Sequence, residues 1–132
     1  MRILLVEDDE SLRDVFQLIL ETEQPVPELK VETAASGGEA IEHISAQVPD
    51  LVLLDMTLAN ESGFEVIEKL KRLPNCAALP VVAVTAHNLK ELEEQALKAG
   101  FSGFITKPID FEKGLFPLLR SLLNTKKTGH AA

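Results

Sequence analysis

The stretch LVLLDMT, residues 51–57, decides how the fold is interpreted. Four consecutive aliphatic residues predict a β-strand that is buried on both faces of a sheet. The run stops at Asp55, and a loop containing Gly63 then leads into a helical pattern. In an open α/β sheet, ligands bind outside the carboxyl ends of the strands. Asp55 therefore marks an edge of the sheet where other functional groups are expected.

Short apolar runs alternate with helical patterns along the whole chain. The predicted strands cover residues 2–6, 30–34, 51–54, 80–84 and 101–106. The predicted helices cover residues 11–23, 37–48, 63–73, 89–99 and 111–122. Five such alternations indicate an α/β fold, in which helices cover both faces of a parallel sheet. We expect one domain over residues 1–123 and a flexible C-terminal tail over residues 124–132.

Three local features refine the predicted helices. Asp9 is well placed to cap the first helix, since its side chain can accept a hydrogen bond from a free backbone N–H. In the fourth helix the spacing of Leu92, Ala96 and Leu97 predicts that all three face inward. Pro117 lies inside the fifth helix, where it has no N–H to donate, so a kink or an irregular first turn is expected.

Composition excludes several classes of function. The chain has 132 residues and a net charge of −8, with no run of Lys or Arg. That balance argues against direct binding of nucleic acid, which requires a basic patch. The single Cys76 cannot form an internal disulfide, and no apolar run has transmembrane length. We therefore expect a cytoplasmic protein that does not bind membranes.

Right-handed crossovers place the carboxyl ends of all strands on one edge of the sheet. The residues that follow the predicted strands there are Glu7, Asp8, Asp55, Thr85 and Lys107. We expect these side chains to lie together.

Three carboxylates in one place repel one another, and a hard divalent cation relieves that repulsion. Mg²⁺ takes oxygen ligands and uses few carboxylates together with phosphate oxygens. Glu7, Asp8 and Asp55 therefore predict a Mg²⁺ site, with Mn²⁺ as an alternative ion, and the backbone carbonyl of Thr57 offers a further oxygen. Lys107 can pair with Asp55 or with a phosphoryl oxygen. A carboxylate nucleophile, a metal and a lysine are the parts needed to accept a phosphoryl group.

The combined motif closely resembles the receiver domain of two-component response regulators. It consists of Glu7-Asp8, Asp55, Thr85-Ala86 and Lys107-Pro108, each at a strand end. The resemblance covers about residues 1–123 and implies the flavodoxin-like (CheY-like) strand order 2-1-3-4-5.

The resemblance implies a role for each matching residue. Asp55 is the expected phospho-acceptor, Lys107 binds the phosphoryl group, and Thr85 supplies the switch hydroxyl. Phe104 matches the aromatic switch position, and Lys107-Pro108 matches the cis peptide of the family.

The acidic residues also receive roles from the resemblance. Asp8 is the expected direct Mg²⁺ ligand, and Glu7 is the second acidic member of the pocket.

The resemblance also implies partners. A histidine kinase or a histidine phosphotransfer domain is expected to donate the phosphoryl group, and a downstream protein to contact the face made by helix 4, strand 5 and helix 5. Because the segment after the fifth helix is too short for an output domain, we expect a stand-alone receiver. No enzymatic activity is expected beyond its own phosphorylation and dephosphorylation.

Three other functions fit part of the pattern. Phosphatases of the haloacid-dehalogenase type also use a strand-end Asp and Mg²⁺, but their general acid would stand at Thr57, which does no acid–base work at ordinary pH. A receiver-like module that binds partners irrespective of phosphorylation would not need the acidic pocket. A flavodoxin-type flavin carrier would need a Ser/Thr-rich loop after the first strand, where Glu7 and Asp8 stand instead.

Overall fold

The computed structural model describes the backbone of residues 1–87 and 90–131 and the side chains of residues 1–87 and 90–123. Five parallel strands form one sheet in the order β2-β1-β3-β4-β5, which confirms the predicted flavodoxin-like order. The strands are β1 (Arg2–Val6), β2 (Lys30–Ala34), β3 (Leu51–Asp55), β4 (Val81–Thr85) and β5 (Gly103–Thr106). The helices are α1 (Glu10–Glu23), α2 (Gly37–Ala46), α3 (Gly63–Lys71), α4 (Lys90–Ala99) and α5 (Phe116–Ala131).

Helices cover both faces of the sheet, as predicted. Alternate strand residues point to opposite faces, so each face receives its own core cluster. The strand residues on the first face pack against α2, α3 and α4, and include Leu4, Val6, Val52, Leu54, Val81 and Ala83. The strand residues on the second face pack against α1 and α5, and include Ile3, Leu5, Leu51, Leu53, Val82 and Val84. The central strands are thus buried on both sides, which explains their unbroken aliphatic sequences.

Strands β3 and β4 each end one residue later than predicted, at Asp55 and Thr85. Asp55 pairs in register with Val84, and Thr85 pairs with Thr106, so both polar residues belong to their strands. Ladder pairing therefore fixes the backbone under the Asp55 and Thr85 side chains.

Side-chain caps define where the helices begin. The Asp9 carboxylate accepts a hydrogen bond from Leu12 N at 3.1 Å, which confirms the predicted cap of α1. Ser36 and Ser62 cap α2 and α3 in the same way, although neither cap was predicted. Such caps satisfy backbone N–H groups that have no partner inside the helix.

The irregular turn predicted near Pro117 is confirmed. Residues Phe111–Leu115 form a π-helical turn that leads directly into α5. Within it the N–H of Leu115 donates to the carbonyl of Asp110 at 3.0 Å, one residue further back than in an α-helix. A proline crowds the carbonyl one turn before it, and the wider turn is consistent with that crowding.

The inward orientation predicted for Leu97 is wrong. Its side chain is 56% exposed, whereas Ala96 is fully buried and Leu92 is half-buried. Helix α4 packs against α3 and β5 at one side of the sheet, so a narrow strip of its surface is covered. Leu89, the predicted first residue of this helix, lies outside the described residues.

Several predicted boundaries also differ. Helices α2 and α3 end earlier than predicted, at Ala46 and Lys71, and β5 starts later, at Gly103. Helix α5 continues to Ala131, beyond the predicted end of the fifth helix at residue 122. Within the described residues, no helix has the length and hydropathy that a membrane crossing requires.

Candidate functional site

Glu7, Asp8, Asp55, Thr85 and Lys107 all lie at the carboxyl edge of the sheet, as predicted. Strands β3 and β4 end in Asp55 and Thr85, whereas the acids and the lysine directly follow β1 and β5. Because β1, β3, β4 and β5 are neighbours in that order, four separate segments of the chain meet at one place.

Lys107 links the two buried acids. Its Nζ lies 3.1 Å from Glu7 Oε1 and 3.3 Å from Asp55 Oδ2. The residues Glu7 and Asp55 are 4% and 6% exposed, so each carboxylate is largely removed from water. Burial by itself would lower the pKa of Lys107, but the Glu7 and Asp55 carboxylates outweigh that effect and raise the pKa above its ordinary value. The ammonium therefore stays charged at physiological pH.

The acids form a group whose donor set suits a divalent cation. One oxygen each of Glu7, Asp8 and Asp55 can be chosen so that all lie within 4.8 Å of one another. Asp8 is exposed, so the group opens to solvent on one side. Carboxylate oxygens that leave room for water are the ligands that Mg²⁺ prefers. The residues therefore fit a Mg²⁺ ion.

The two oxygens of Asp55 have different partners. The backbone N–H of Thr57 donates to Oδ1 at 2.9 Å, while Oδ2 faces Lys107. This pair of contacts fixes the plane of the carboxylate. The loop after β3 thus orients the Asp55 carboxylate through its backbone.

The turn after β1 is braced by a residue to which the sequence analysis gave no role. The guanidinium of Arg13 donates from Nη1 to the carbonyl of Glu7 at 3.0 Å, and the N–H of Asp9 donates to Glu7 Oε2 at 3.3 Å. Arg13 lies one turn into α1, so the brace spans the turn that carries both acids. The spacing of Arg13 after the acidic pair was visible in the sequence, but many solvated arginines share it.

The Thr85 hydroxyl is buried, and its Oγ1 accepts a hydrogen bond from the N–H of His87 at 3.1 Å. Phe104 on β5 is half-buried and packs against the first core cluster. The Lys107–Pro108 peptide bond is cis, the isomer that the resemblance implies.

The family model described as the response regulator receiver domain matches residues 3–116. The chain belongs to the response regulator receiver family. Members of this family accept a phosphoryl group in two-component signalling, bind Mg²⁺ through acidic residues, and interact with histidine kinases and downstream effectors.

Three similar proteins illustrate the relationship. The chain is 34% identical over 110 residues to an uncharacterised 14.6 kDa protein of Leptolyngbya boryana, covering 83% of this chain and 81% of that protein. It is 37% identical over 125 residues to the response regulator PleD of Caulobacter vibrioides, covering 95% of this chain and 26% of PleD, about a quarter of its length. The non-phosphorylated HemR receiver domain of Leptospira biflexa is 30% identical, with a TM-score of 0.78 and coverage of 92% and 93% of the two chains.

The receiver has an open apolar groove beside its acidic pocket, which the sequence analysis missed. It occupies about 350 Å³ between α1 and the segment after β5. Its lining comprises Glu7, Leu12, Val15, Phe16, Lys107, Pro108, Ile109 and Phe111. Leu12 and Val15 are 48% and 53% exposed, and Leu18, one turn after Val15, is 66% exposed. Leu12 and Val15 fit the helical pattern of residues 11–23, but such a pattern does not show how much of the apolar side stays uncovered.

Proposed function

We propose that this chain is a stand-alone receiver that takes a phosphoryl group onto Asp55 from a phosphohistidine donor and then controls a separate partner protein. The observation that carries the proposal is the position of Lys107 Nζ between Glu7 and Asp55, beside the exposed Asp8. A relative of similar length, the Leptolyngbya protein, supports a receiver without an attached output domain.

The proposed transfer follows from the contacts of Asp55. A carboxylate oxygen attacks the phosphorus, the P–N bond to the donor imidazole breaks, and the nitrogen keeps the electron pair. Lys107 lies on the Oδ2 side, where it can bind a phosphoryl oxygen as its contact with Asp55 lengthens. A bound Mg²⁺ would neutralise charge on the phosphoryl oxygens. Such transfers depend mainly on positioning and charge stabilisation, which this rigid strand end provides.

The primary test uses a small phosphodonor. The protein is incubated with acetyl phosphate and Mg²⁺, and intact mass and peptide mapping locate the product. We expect one added phosphoryl group on Asp55, none in Asp55→Asn, and a normal yield in Asp14→Asn, which removes an exposed acid of α1. Acceptance of the same phosphoryl group by Asp55→Asn would contradict the proposal.

We further propose that the α1 groove receives the helix that carries the donor histidine. Leu12 and Val15 expose apolar surface next to the acceptor pocket, which suits a helix packing through its own apolar face. Val15→Asp should therefore slow phosphorylation by a phosphorylated histidine phosphotransfer domain and leave phosphorylation by acetyl phosphate unchanged. Val48→Asp is the matched control, because Val48 is 40% exposed but lies just before β3, at the opposite edge of the sheet. Equal effects of the two substitutions would reject this docking site.

For the output, we propose that Thr85 and Phe104 alter the face made by α4, β5 and α5. The Thr85 hydroxyl now accepts from His87, and it would turn to donate its proton to the phosphoryl group. Phe104 is half-buried on β5, beside the strand that carries Thr85. Beryllofluoride, which mimics the phosphoryl group, should shift the NMR resonances of Phe104 in the parent and leave them unchanged in Asp55→Asn. Unchanged Phe104 resonances in the parent would reject the switch.

A further inference from the structure

The loop between β3 and α3, residues 56–62, directly follows the acceptor residue and reaches a second helix. Thr57 and Ser62 form an antiparallel bridge, so the ends of the loop are held together. Glu61 precedes Ser62, and its side chain extends to the first residue of α2, Gly37. This contact joins the acceptor loop to the amino end of a helix two elements earlier in the chain.

Gly37 makes the contact with Glu61 sterically feasible. A Cβ atom on this residue would overlap the Glu61 carboxylate and would lie 2.8 Å from Cγ2 of Val66. A Cβ on the adjacent Gly38 would meet Ser36 Oγ at 3.8 Å, an ordinary contact. The two glycines therefore form a matched pair, in which one makes room for Glu61 and the other does not.

The surroundings of Glu61 favour its position. A carboxylate at a helix amino end is stabilised by the partial positive charge there. Lys69 Nζ lies 3.5 Å from Glu61 Oε2, and the Glu61 side chain is 19% exposed although it sits on a surface loop. Lys69 itself is 64% exposed, so this ion pair contributes little to holding Glu61 in place.

We infer that Glu61 is a positioning residue for the phosphorylation site. This inference rests on the proposed function. The contact with α2 fixes the position of Glu61 and hence that of its neighbour Ser62. Ser62 is bridged to Thr57, and the N–H of Thr57 orients Asp55 Oδ1. The same residue, Thr57, carries the carbonyl expected to face the metal. The Glu61 contact with α2 therefore pre-organises the acceptor carboxylate from outside the pocket.

The test measures amide hydrogen exchange of Thr57 by NMR in metal-free protein. Glu61→Ala should speed exchange at Thr57 about tenfold, because the loop then opens locally more often. Gly37→Ala should do the same, since its new methyl group displaces the Glu61 carboxylate. In the Glu61→Ala background, Gly37→Ala should accelerate exchange at Thr57 less than it does in the parent, because only its overlap with Val66 then remains. Glu61→Gln keeps the shape but not the charge, and should give an intermediate rate.

Calorimetric titration with Mg²⁺ alone provides a second measurement. Glu61→Ala should raise the dissociation constant about tenfold, at the low end of the range seen for residues that support metal ligands. Gly38→Ala and Glu68→Ala are the controls and should match the parent, since Glu68 pairs with Arg72 on the exposed side of α3.

The outcomes separate this inference from the proposed function. Unchanged Thr57 exchange in Glu61→Ala would overturn the inference, as would equal acceleration by Gly37→Ala in both backgrounds. A parent protein that binds no Mg²⁺ would instead count against the proposed function, while the exchange measurement would remain valid. If Gly37→Ala loses its fold through the Val66 overlap, Glu61→Ala and Glu61→Gln alone decide the question.

Discussion

Replacement of Asp8 by Asn should stabilise the protein without metal and destabilise it, relative to the parent, with Mg²⁺. One carboxylate oxygen of Asp8 lies within 4.8 Å of an oxygen of Glu7 and of an oxygen of Asp55. At that distance two carboxylates repel by about 1 kcal/mol in water and about 3.5 kcal/mol at an effective dielectric constant near 20. Because Asp8 is exposed and Lys107 partly offsets the repulsion, the lower figure applies. Asp8→Asn should therefore raise the free energy of unfolding by about 1 kcal/mol in chelator.

Magnesium should reverse the order of stabilities. An ion present at about 100 times its dissociation constant stabilises the native state by about 2.7 kcal/mol. The parent should receive this stabilisation, and Asp8→Asn, having lost a ligand, should receive much less. The assay is urea denaturation followed by far-UV circular dichroism, since the chain has no Trp or Tyr. High salt provides a further check, because about 1 M salt shortens the screening length to ~3 Å and should shrink the difference seen in chelator.

Asp14→Asn is the matched control, because Asp14 is an exposed acid on α1 that is not part of the acidic group. It should shift stability equally with and without Mg²⁺. The reasoning is refuted if Asp8→Asn is less stable than the parent in chelator, or if Mg²⁺ stabilises both proteins by the same amount.

Two further substitutions test the packing and the electrostatics of the fold. Gly63→Ala should lower the free energy of unfolding by about 1–3 kcal/mol in urea denaturation, because its Cβ would lie 2.5 Å from Sδ and 3.0 Å from Cα of Met56; Gly38→Ala, which meets no such obstacle, should not lower it. A hydrogen bond and charge attraction from Arg2 lower the pKa of Glu32 below its ordinary value of 4.5. The ionised Glu32 side chain therefore stabilises the fold above pH 4.5, and this stabilisation is lost as the pH falls through the lowered pKa. Glu32→Gln should therefore lower stability by less than about 1 kcal/mol at pH 7, with the difference from the parent vanishing in acid, and a pH-independent difference would refute this.

The central part of the fold was predictable because burial on both faces leaves a plain signal. Residues 51–54 and 81–84 are aliphatic without interruption, and both became strands of the sheet interior. The ends of these strands were harder to predict, because Asp55 and Thr85 pair with the neighbouring strands although their side chains are polar. Leu97 was misplaced because periodicity shows that a helix has an apolar side, but not how much of that side a neighbour covers.

The part of the candidate site that lies at the strand ends was predictable from the order of the elements along the chain. Parallel strands with right-handed crossovers bring their carboxyl ends to one edge, so Glu7, Asp55 and Lys107 could be grouped without coordinates. The contacts of Arg13 with the Glu7 carbonyl and of Glu61 with Gly37 depend on side-chain reach across turns and between loops. Neither distance follows from spacing along the chain.

On the proposed function, the charges of the pocket suggest why phosphorylation should move Thr85. Three carboxylates and one ammonium leave two net negative charges, which one divalent cation balances. Phosphorylation of Asp55 replaces one negative charge by up to two, because a phosphoryl group carries about −1.5 to −2 at pH 7. The excess charge lies beside the buried carboxylates of Glu7 and Asp55, so it needs a hydrogen-bond donor at close range. Thr85 is a buried hydroxyl at this edge, and among the described residues its one hydrogen bond is the one it accepts from the His87 N–H, so its proton is available for donation. Its rotation towards the phosphoryl oxygen would leave the His87 N–H to find another acceptor, and the segment after β4 would have to rearrange.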